Sequence, residues 1–244
     1  MPEGPSIVIL AESVAPFVGK KVLDTSGNSK EDIQRAKGHK LIEIRTWGKQ
    51  LLLCFSGFTI KVHLLLFGSY RINEEKDTPP RLRLDFSSGF INFYACSVKI
   101  IEGDIDALYD WDVDIMSDTW NQNKAIENLI RQPDRLVCDV LLDQEIFSGS
   151  GNIIKNEVLY RTCIHPLSLV KFLPHNMLIR LVKEVRDYAF DFLKWKKEYS
   201  LKKHWLAHTN RICTRCNLPL NKEYLGKTKR RTFYCNNCQI LYDS

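Results

Sequence analysis

Two Cys-x-x-Cys pairs, Cys213/Cys216 and Cys235/Cys238, are separated by 18 residues. This spacing most narrows what the chain can fold into. Two thiol pairs so arranged are the pattern of a tetrahedral four-cysteine zinc site, and four protein ligands close it, so one structural Zn2+ is expected. The stretch between the pairs is basic, with Lys222, Lys227, Lys229, Arg230 and Arg231. It reads as a small metal-held module that meets phosphate.

The rest of the composition agrees with an anionic partner. The 244 residues carry a formal net charge of +6, which by itself selects no partner. The placement says more: between 202 and 231 nine lysines and arginines face a single acid, Glu223. Such asymmetry is the electrostatic footprint of a nucleic-acid binder. No signal-peptide pattern and no apolar run of about 20 residues occurs, so a cytoplasmic protein without a membrane partner is expected, nucleoid-associated if bacterial. In that compartment thiols stay reduced, which favours zinc over disulfides. The scattered Cys54, Cys96, Cys138 and Cys163 read as small buried hydrophobes.

Periodicity divides the chain. Residues 4–17 have helical spacing. Short strand-like runs follow at 39–46, 50–55, 58–64, 81–86, 90–94 and 97–101, separated by Ser56-Gly57, Pro79-Pro80 and Ser87-Ser88-Gly89. Beyond about 117 the pattern turns helical: a helix capped by Asn121 or Asn123 to about 131, one over 135–144, one starting at Asn152 and stopped by Pro166, and a long one over 174–198. The expected class is α+β: an N-terminal helix with an antiparallel β-sandwich (1–116), a helical domain (117–210) and a four-cysteine zinc module (211–244).

The start MPEGP, the segment WGKQLLL (47–53), LLDQEIFSGSGNIIKNE (141–157), Ile164-His165-Pro166 and KRRTFYCNNCQ (229–239) together resemble the formamidopyrimidine-DNA glycosylase/endonuclease VIII family, in register from Pro2 to Gln239. These are base-excision repair enzymes. The resemblance implies a monomer that binds damaged double-stranded DNA in a cleft between its two domains, with a helix–two-turn–helix motif in the helical domain and a β-hairpin zinc finger. It also implies a bifunctional glycosylase and abasic-site lyase.

The resemblance assigns roles residue by residue. Removal of Met1 leaves Pro2 as a secondary amine that attacks C1′ of the damaged nucleotide, and a neutral amine is available because an α-amino pKa lies near 8. Glu3 is the acid/base. Lys49 contacts the phosphate flanking the lesion. Gly151 and Asn152 open a helix whose N–H groups grip phosphate; Glu157 is structural. Arg230 is the zinc-finger arginine, with Arg231 its neighbouring rival. His204 and His208 are left no ligand role by a complete set of four cysteines.

A flipped base leaves a hole that the enzyme must fill. The segment 63–71 aligns with the family's filling loop, and the endonuclease VIII branch inserts three consecutive residues, here Leu65, Leu66 and Phe67. The stretch 93–97 has no Arg-x-Phe of the 8-oxoguanine branch, and Cys138 stands where that branch carries a lysine. Oxidised pyrimidines are therefore favoured over oxidised purines. Two departures stand out: Ser6 replaces the family's usual glutamate, and Leu65 cannot hydrogen-bond an orphaned base. The alternatives are an 8-oxoguanine/formamidopyrimidine glycosylase and a non-catalytic zinc-finger protein that binds damaged DNA.

Overall fold

The structure is a computed structural model that describes residues 2–244; the expected removal of Met1 concerns a residue outside these. The chain forms two compact units, the first ending at Asp110 and the second running from Trp111 to Ser244. Residues 111–116, expected in the first domain, belong to the second. Ser148 N–H donates to the Val113 carbonyl at 2.8 Å, and Ile115 N–H to the Ser148 carbonyl at 3.0 Å. Residues 211–244 are part of the second unit as well.

In the first unit, helix α1 (Gly4–Val14) is followed by eight strands: β1 (Val22–Ser26), β2 (Glu43–Trp47), β3 (Gln50–Phe55), β4 (Phe58–His63), β5 (Ser69–Ile72), β6 (Leu82–Phe86), β7 (Gly89–Tyr94) and β8 (Ser97–Glu102). They make two four-stranded antiparallel sheets, ordered β1-β6-β7-β5 and β2-β3-β4-β8. Leu51, Leu53, Ile60 and Val62 of one sheet, Leu82, Leu84, Ile91 and Phe93 of the other, and Ile7, Leu10 and Val14 of α1 share one core. Alternation explains the sandwich: in β6, Leu82, Leu84 and Phe86 are buried while Arg83 and Asp85 turn outward.

Two strands escaped the sequence reading. In β1 a register irregularity between Val22 and Asp24 breaks the period-two pattern. β5 is only four residues, Ser-Tyr-Arg-Ile, inside the segment read as a loop.

The second unit is helical. Its first labelled helix is α2 (Gln122–Ile130). Asn121 caps α2, its side chain accepting from Lys124 N–H at 3.1 Å. A short helix α3 (Val137–Val140) stands where 135–144 was expected, since the backbone leaves the helix at Leu141 and enters a chain of turns through Ser148. α4 (Asn152–Thr162) and α5 (His175–Lys197) follow. α4 ends at Cys163 in a left-handed conformation, before Pro166 is reached. In α5, Leu178, Leu181, Val182, Val185, Tyr188, Ala189 and Phe192 bury one face. A hairpin of β9 (Asn221–Leu225) and β10 (Arg230–Tyr234) completes the unit. No helix among the described residues is long and apolar enough to cross a membrane.

Candidate nucleic-acid interface and active site

Helix α1 begins where the sequence places chemistry. Pro2 is half-buried and Glu3 is wholly buried at the N-cap. The Glu3 carbonyl starts the helix by accepting from Ser6 and Ile7 N–H at 2.8 and 3.3 Å, and Pro5 sits in the first turn where no N–H is needed. The Glu3 carboxylate does not cap the helix. Burying a carboxylate is costly unless it is paired or hydrogen-bonded, and buried acids cluster at functional sites.

α1 packs against β2 and β3. These strands pair Trp47 with Gln50, so Gly48-Lys49 is a two-residue hairpin turn. The turn is braced from one side: Trp47 donates its indole N–H to the Asp110 carbonyl at 2.9 Å, and Tyr109 hydroxyl bonds the Gln50 side chain at 2.9 Å. β4 pairs His63 with Gln50, so the 64–68 turn leaves the same end of the sheet as Lys49.

Leu65, Leu66 and Phe67 are 49%, 48% and 82% exposed on that turn, which rules out a place for them in the strand core. Three large apolar side chains held in water demand a purpose. The turn is built to present them. Leu65 takes a left-handed φ of +52°, a conformation costing a non-glycine residue on the order of 1 kcal/mol. Leu65 N–H donates to His63 Nδ1 at 3.1 Å, and Gly68 N–H closes the turn on the Leu64 carbonyl at 2.7 Å. A side chain at 68 would start 1.9 Å from that carbonyl oxygen, so only glycine closes it. Burial, then the Lys49 and Lys61 charges, lowers the His63 pKa and keeps Nδ1 an acceptor. His63 was not anticipated from sequence, where a lone histidine at a strand end carries no signal.

In the second unit, Gly151 precedes α4 and Asn152 opens it. α4 is buried on nearly every side, including Lys155, Asn156 and Glu157. Its polar residues bind the zinc-module chain. Asn152 Nδ2 donates to the Arg231 carbonyl at 2.8 Å, and Lys155 Nζ to Thr232 Oγ1 at 2.8 Å. Asn156 Nδ2 meets His208 Nδ1 at 2.9 Å. Glu157 accepts three backbone N–H bonds, from Leu206, Ala207 and His208, at 2.7–2.9 Å. Its part is thus structural. Burial pushes the Glu157 carboxyl up, while those three bonds favour its charged form.

Burial, reinforced by Arg231 and Lys155, lowers the His208 pKa to about 4. An unfolded histidine near 6.5 binds its proton first, so stability is complete above about pH 6.5 and is lost as pH falls toward 4. We expect a loss of about 2 kcal/mol between pH 7 and pH 5 from this residue. Chemical denaturation at both pH values should show the loss, and a His208→Gln variant should show a shallower decline; an equal decline in the variant rejects this source.

The four cysteines Cys213, Cys216, Cys235 and Cys238 converge, with all sulfurs within 4.8 Å of one another. Sulfur separations of 3.8 Å (Cys213–Cys238) and 3.5 Å (Cys216–Cys235) are far too long for disulfides. Tetrahedral zinc at about 2.3 Å spaces its sulfurs about 3.8 Å apart, so the set fits that ion. Each pair sits in the same turn: Asn217 N–H bonds the Cys213 carbonyl at 2.9 Å, and Gln239 N–H the Cys235 carbonyl at 3.0 Å. Tyr160, Ala207 and Phe233 pack around Cys213 and Cys235. His204 stacks on Trp195 instead of joining the cluster. Burial pushes the Cys96 and Cys138 thiols up to about 11 and 12, as inert core residues require. Arg230 and Arg231 are both exposed on neighbouring, opposite-facing positions of β10, with Arg230 at its first residue.

The family model for the formamidopyrimidine-DNA glycosylase N-terminal domain matches residues 1–96, and that for the formamidopyrimidine-DNA glycosylase H2TH domain matches 113–197. Endonuclease 8-like 3 of Mus musculus is 30% identical over 211 residues, covering 83% of this chain and 35% of its own length. Endonuclease 8-like 2 of Bos taurus is 29% identical, covering 98% of this chain and 96% of its own length. The chain spans only 35–38% of the first curated relatives it matches. A viral DNA glycosylase shares the fold with a TM-score of 0.85 at 18% identity, covering 98% of this chain and all of that one. So does Lactococcus lactis formamidopyrimidine-DNA glycosylase non-covalently bound to abasic-site DNA, with a TM-score of 0.85 at 19% identity and coverage of 97% and 99%. With both the N-terminal and the H2TH domain matched and a four-cysteine cluster in place, the chain belongs to the formamidopyrimidine-DNA glycosylase/endonuclease VIII family, on its endonuclease 8-like side.

Proposed function

We propose that the chain is a base-excision repair DNA glycosylase with abasic-site lyase activity, acting on damaged duplex DNA. The wholly buried Glu3 beside Pro2, at the start of a helix its carboxylate does not cap, is the observation that carries this reading. With Met1 removed, the Pro2 nitrogen attacks C1′. The bond from C1′ to the base breaks, the base leaving with the electron pair and taking up the proton that the Pro2 nitrogen loses, and the ring opens as Glu3 protonates the deoxyribose oxygen. The resulting iminium ion is an electron sink. Loss of the C2′ proton then breaks the C3′–O bond and expels the 3′ phosphate, and a second elimination releases the 5′ phosphate.

Lys49 binds the phosphate flanking the lesion, and in the second unit Gly151, Asn152 and Arg230 bind DNA phosphates. Zinc holds the hairpin that carries Arg230 and takes no part in the chemistry. Leu65, Leu66 and Phe67 fill the space the flipped base leaves; their joint exposure on one turn supports this role and, with it, a preference for oxidised pyrimidines. The test is a panel of duplexes carrying thymine glycol, 8-oxoguanine or an abasic site. Cleavage should be faster at thymine glycol than at 8-oxoguanine. The reverse order would reject the pyrimidine preference, and cleavage at the abasic site alone would leave a lyase without a glycosylase.

A further inference from the structure

The β9–β10 hairpin poses a problem of physical chemistry. It is a two-stranded ribbon, marginal on its own. Lys222, Lys227, Lys229, Arg230 and Arg231 are all exposed along it, and like charges repel. Phosphate recognition by such a ribbon needs its tip held in place before DNA arrives, because ordering it on binding subtracts from affinity.

We propose that Asp139 is a positioning residue that fixes the hairpin tip and thereby sets the phosphate contact made by Arg230. The proposal rests on the reading of Arg230 given above. Asp139 lies in α3, 8% exposed. Its Oδ2 accepts Lys227 N–H at 2.9 Å, and its Oδ1 accepts Thr228 N–H at 3.5 Å. The bonds go to the main chain of the turn, so the carboxylate fixes the turn and leaves the basic side chains pointing outward. Hydrogen bonds from backbone N–H to an ionised carboxylate are about twice as strong as neutral ones.

Gly226 is the other half of the device. Its φ is +72°, and a side chain there would begin 2.3 Å from Asp139 Oδ1. The turn therefore comes down onto the carboxylate as closely as a backbone can, and only glycine allows it. Two N–H donors converge on two oxygens, which an asparagine could not match, since one of its two positions is itself a donor. Arg230 stands at the start of β10, two residues beyond the anchored Thr228, so the anchor fixes where its side chain originates.

The test is a double-mutant cycle on the full chain with zinc bound, read as the dissociation constant for a labelled duplex carrying a tetrahydrofuran abasic analogue. Arg230→Ala and Asp139→Asn should each weaken binding, Asp139→Asn by about tenfold. The double variant should bind no worse than Arg230→Ala, a result that general destabilisation would not give. Independent, multiplying losses overturn the proposal. So does normal binding by Asp139→Asn beside weakened binding by Arg230→Ala, which leaves the Arg230 reading intact. Normal binding by Arg230→Ala overturns both. Gly226→Ala attacks the same contact from the hairpin side: it should reproduce the Asp139→Asn loss with zinc content unchanged, and normal binding by it would also overturn the proposal should Asp139→Asn fail to fold.

Discussion

A Glu3→Gln variant is expected to fold normally and to lose about 10²- to 10⁴-fold in strand cleavage, the usual contribution of a general acid/base. The fold should survive because the carboxylate does not cap α1; the helix starts from the Glu3 carbonyl and from Pro5. Glutamine keeps the shape and an accepting oxygen at this fully buried position, so the variant should still fold, and its melting temperature reports any structural cost. Single-turnover cleavage of an abasic duplex, with thermal melting alongside, separates the two effects. A loss under tenfold would remove Glu3 from the chemistry. A large loss that tracks a fall in melting temperature would make its role structural.

Stripping the metal should have an effect of similar size on binding. Structural zinc contributes about 10–16 kcal/mol of apparent binding free energy in small modules, which is folding free energy for the segment it holds. Here the thiols are the centre of a small cluster with Tyr160, Ala207 and Phe233, and the segment between the two pairs carries Arg230 and Arg231. Chelation, or Cys235→Ser, should release the hairpin and abolish tight DNA binding while the β-sandwich keeps its far-ultraviolet signature. Binding should also become less salt-sensitive as phosphate contacts are lost. Unchanged affinity after the metal is shown by elemental analysis to be gone would reject a zinc-held interface. The same analysis identifies the metal.

What could be read from sequence follows from how local each signal is. The four-cysteine set, the N-terminal helix and six strands depend on spacing within a few residues, and the structure shows each of them. The Asn121 cap is likewise a local signal. β1 was hidden by its irregular register and β5 by its shortness. The helix expected over 135–144 shrank to four residues because its apolar residues are buried in a chain of turns, and periodicity cannot distinguish that from a helix. Asp139 was invisible for another reason: its partners are main-chain N–H groups placed by the fold, the first 88 residues away. His63 bonds a neighbour only two residues on, but a lone histidine at a strand end carries no signal. The exposure of Leu65, Leu66 and Phe67 was anticipated only through the family resemblance. Three apolar residues in a row say that one cannot face the core, and the Leu65 backbone and Gly68 then turn all three outward.

Pro2, as the proposed nucleophile, should form a covalent bond to DNA. Borohydride should reduce the iminium ion and trap the protein on duplexes containing an abasic site or thymine glycol, and mass spectrometry of the digested adduct should locate the sugar on the Pro2 nitrogen. An adduct on Lys49 or another amine would contradict Pro2 as the nucleophile, and no adduct on either duplex, with DNA binding intact, would make the chain a binder of damaged DNA and not an enzyme.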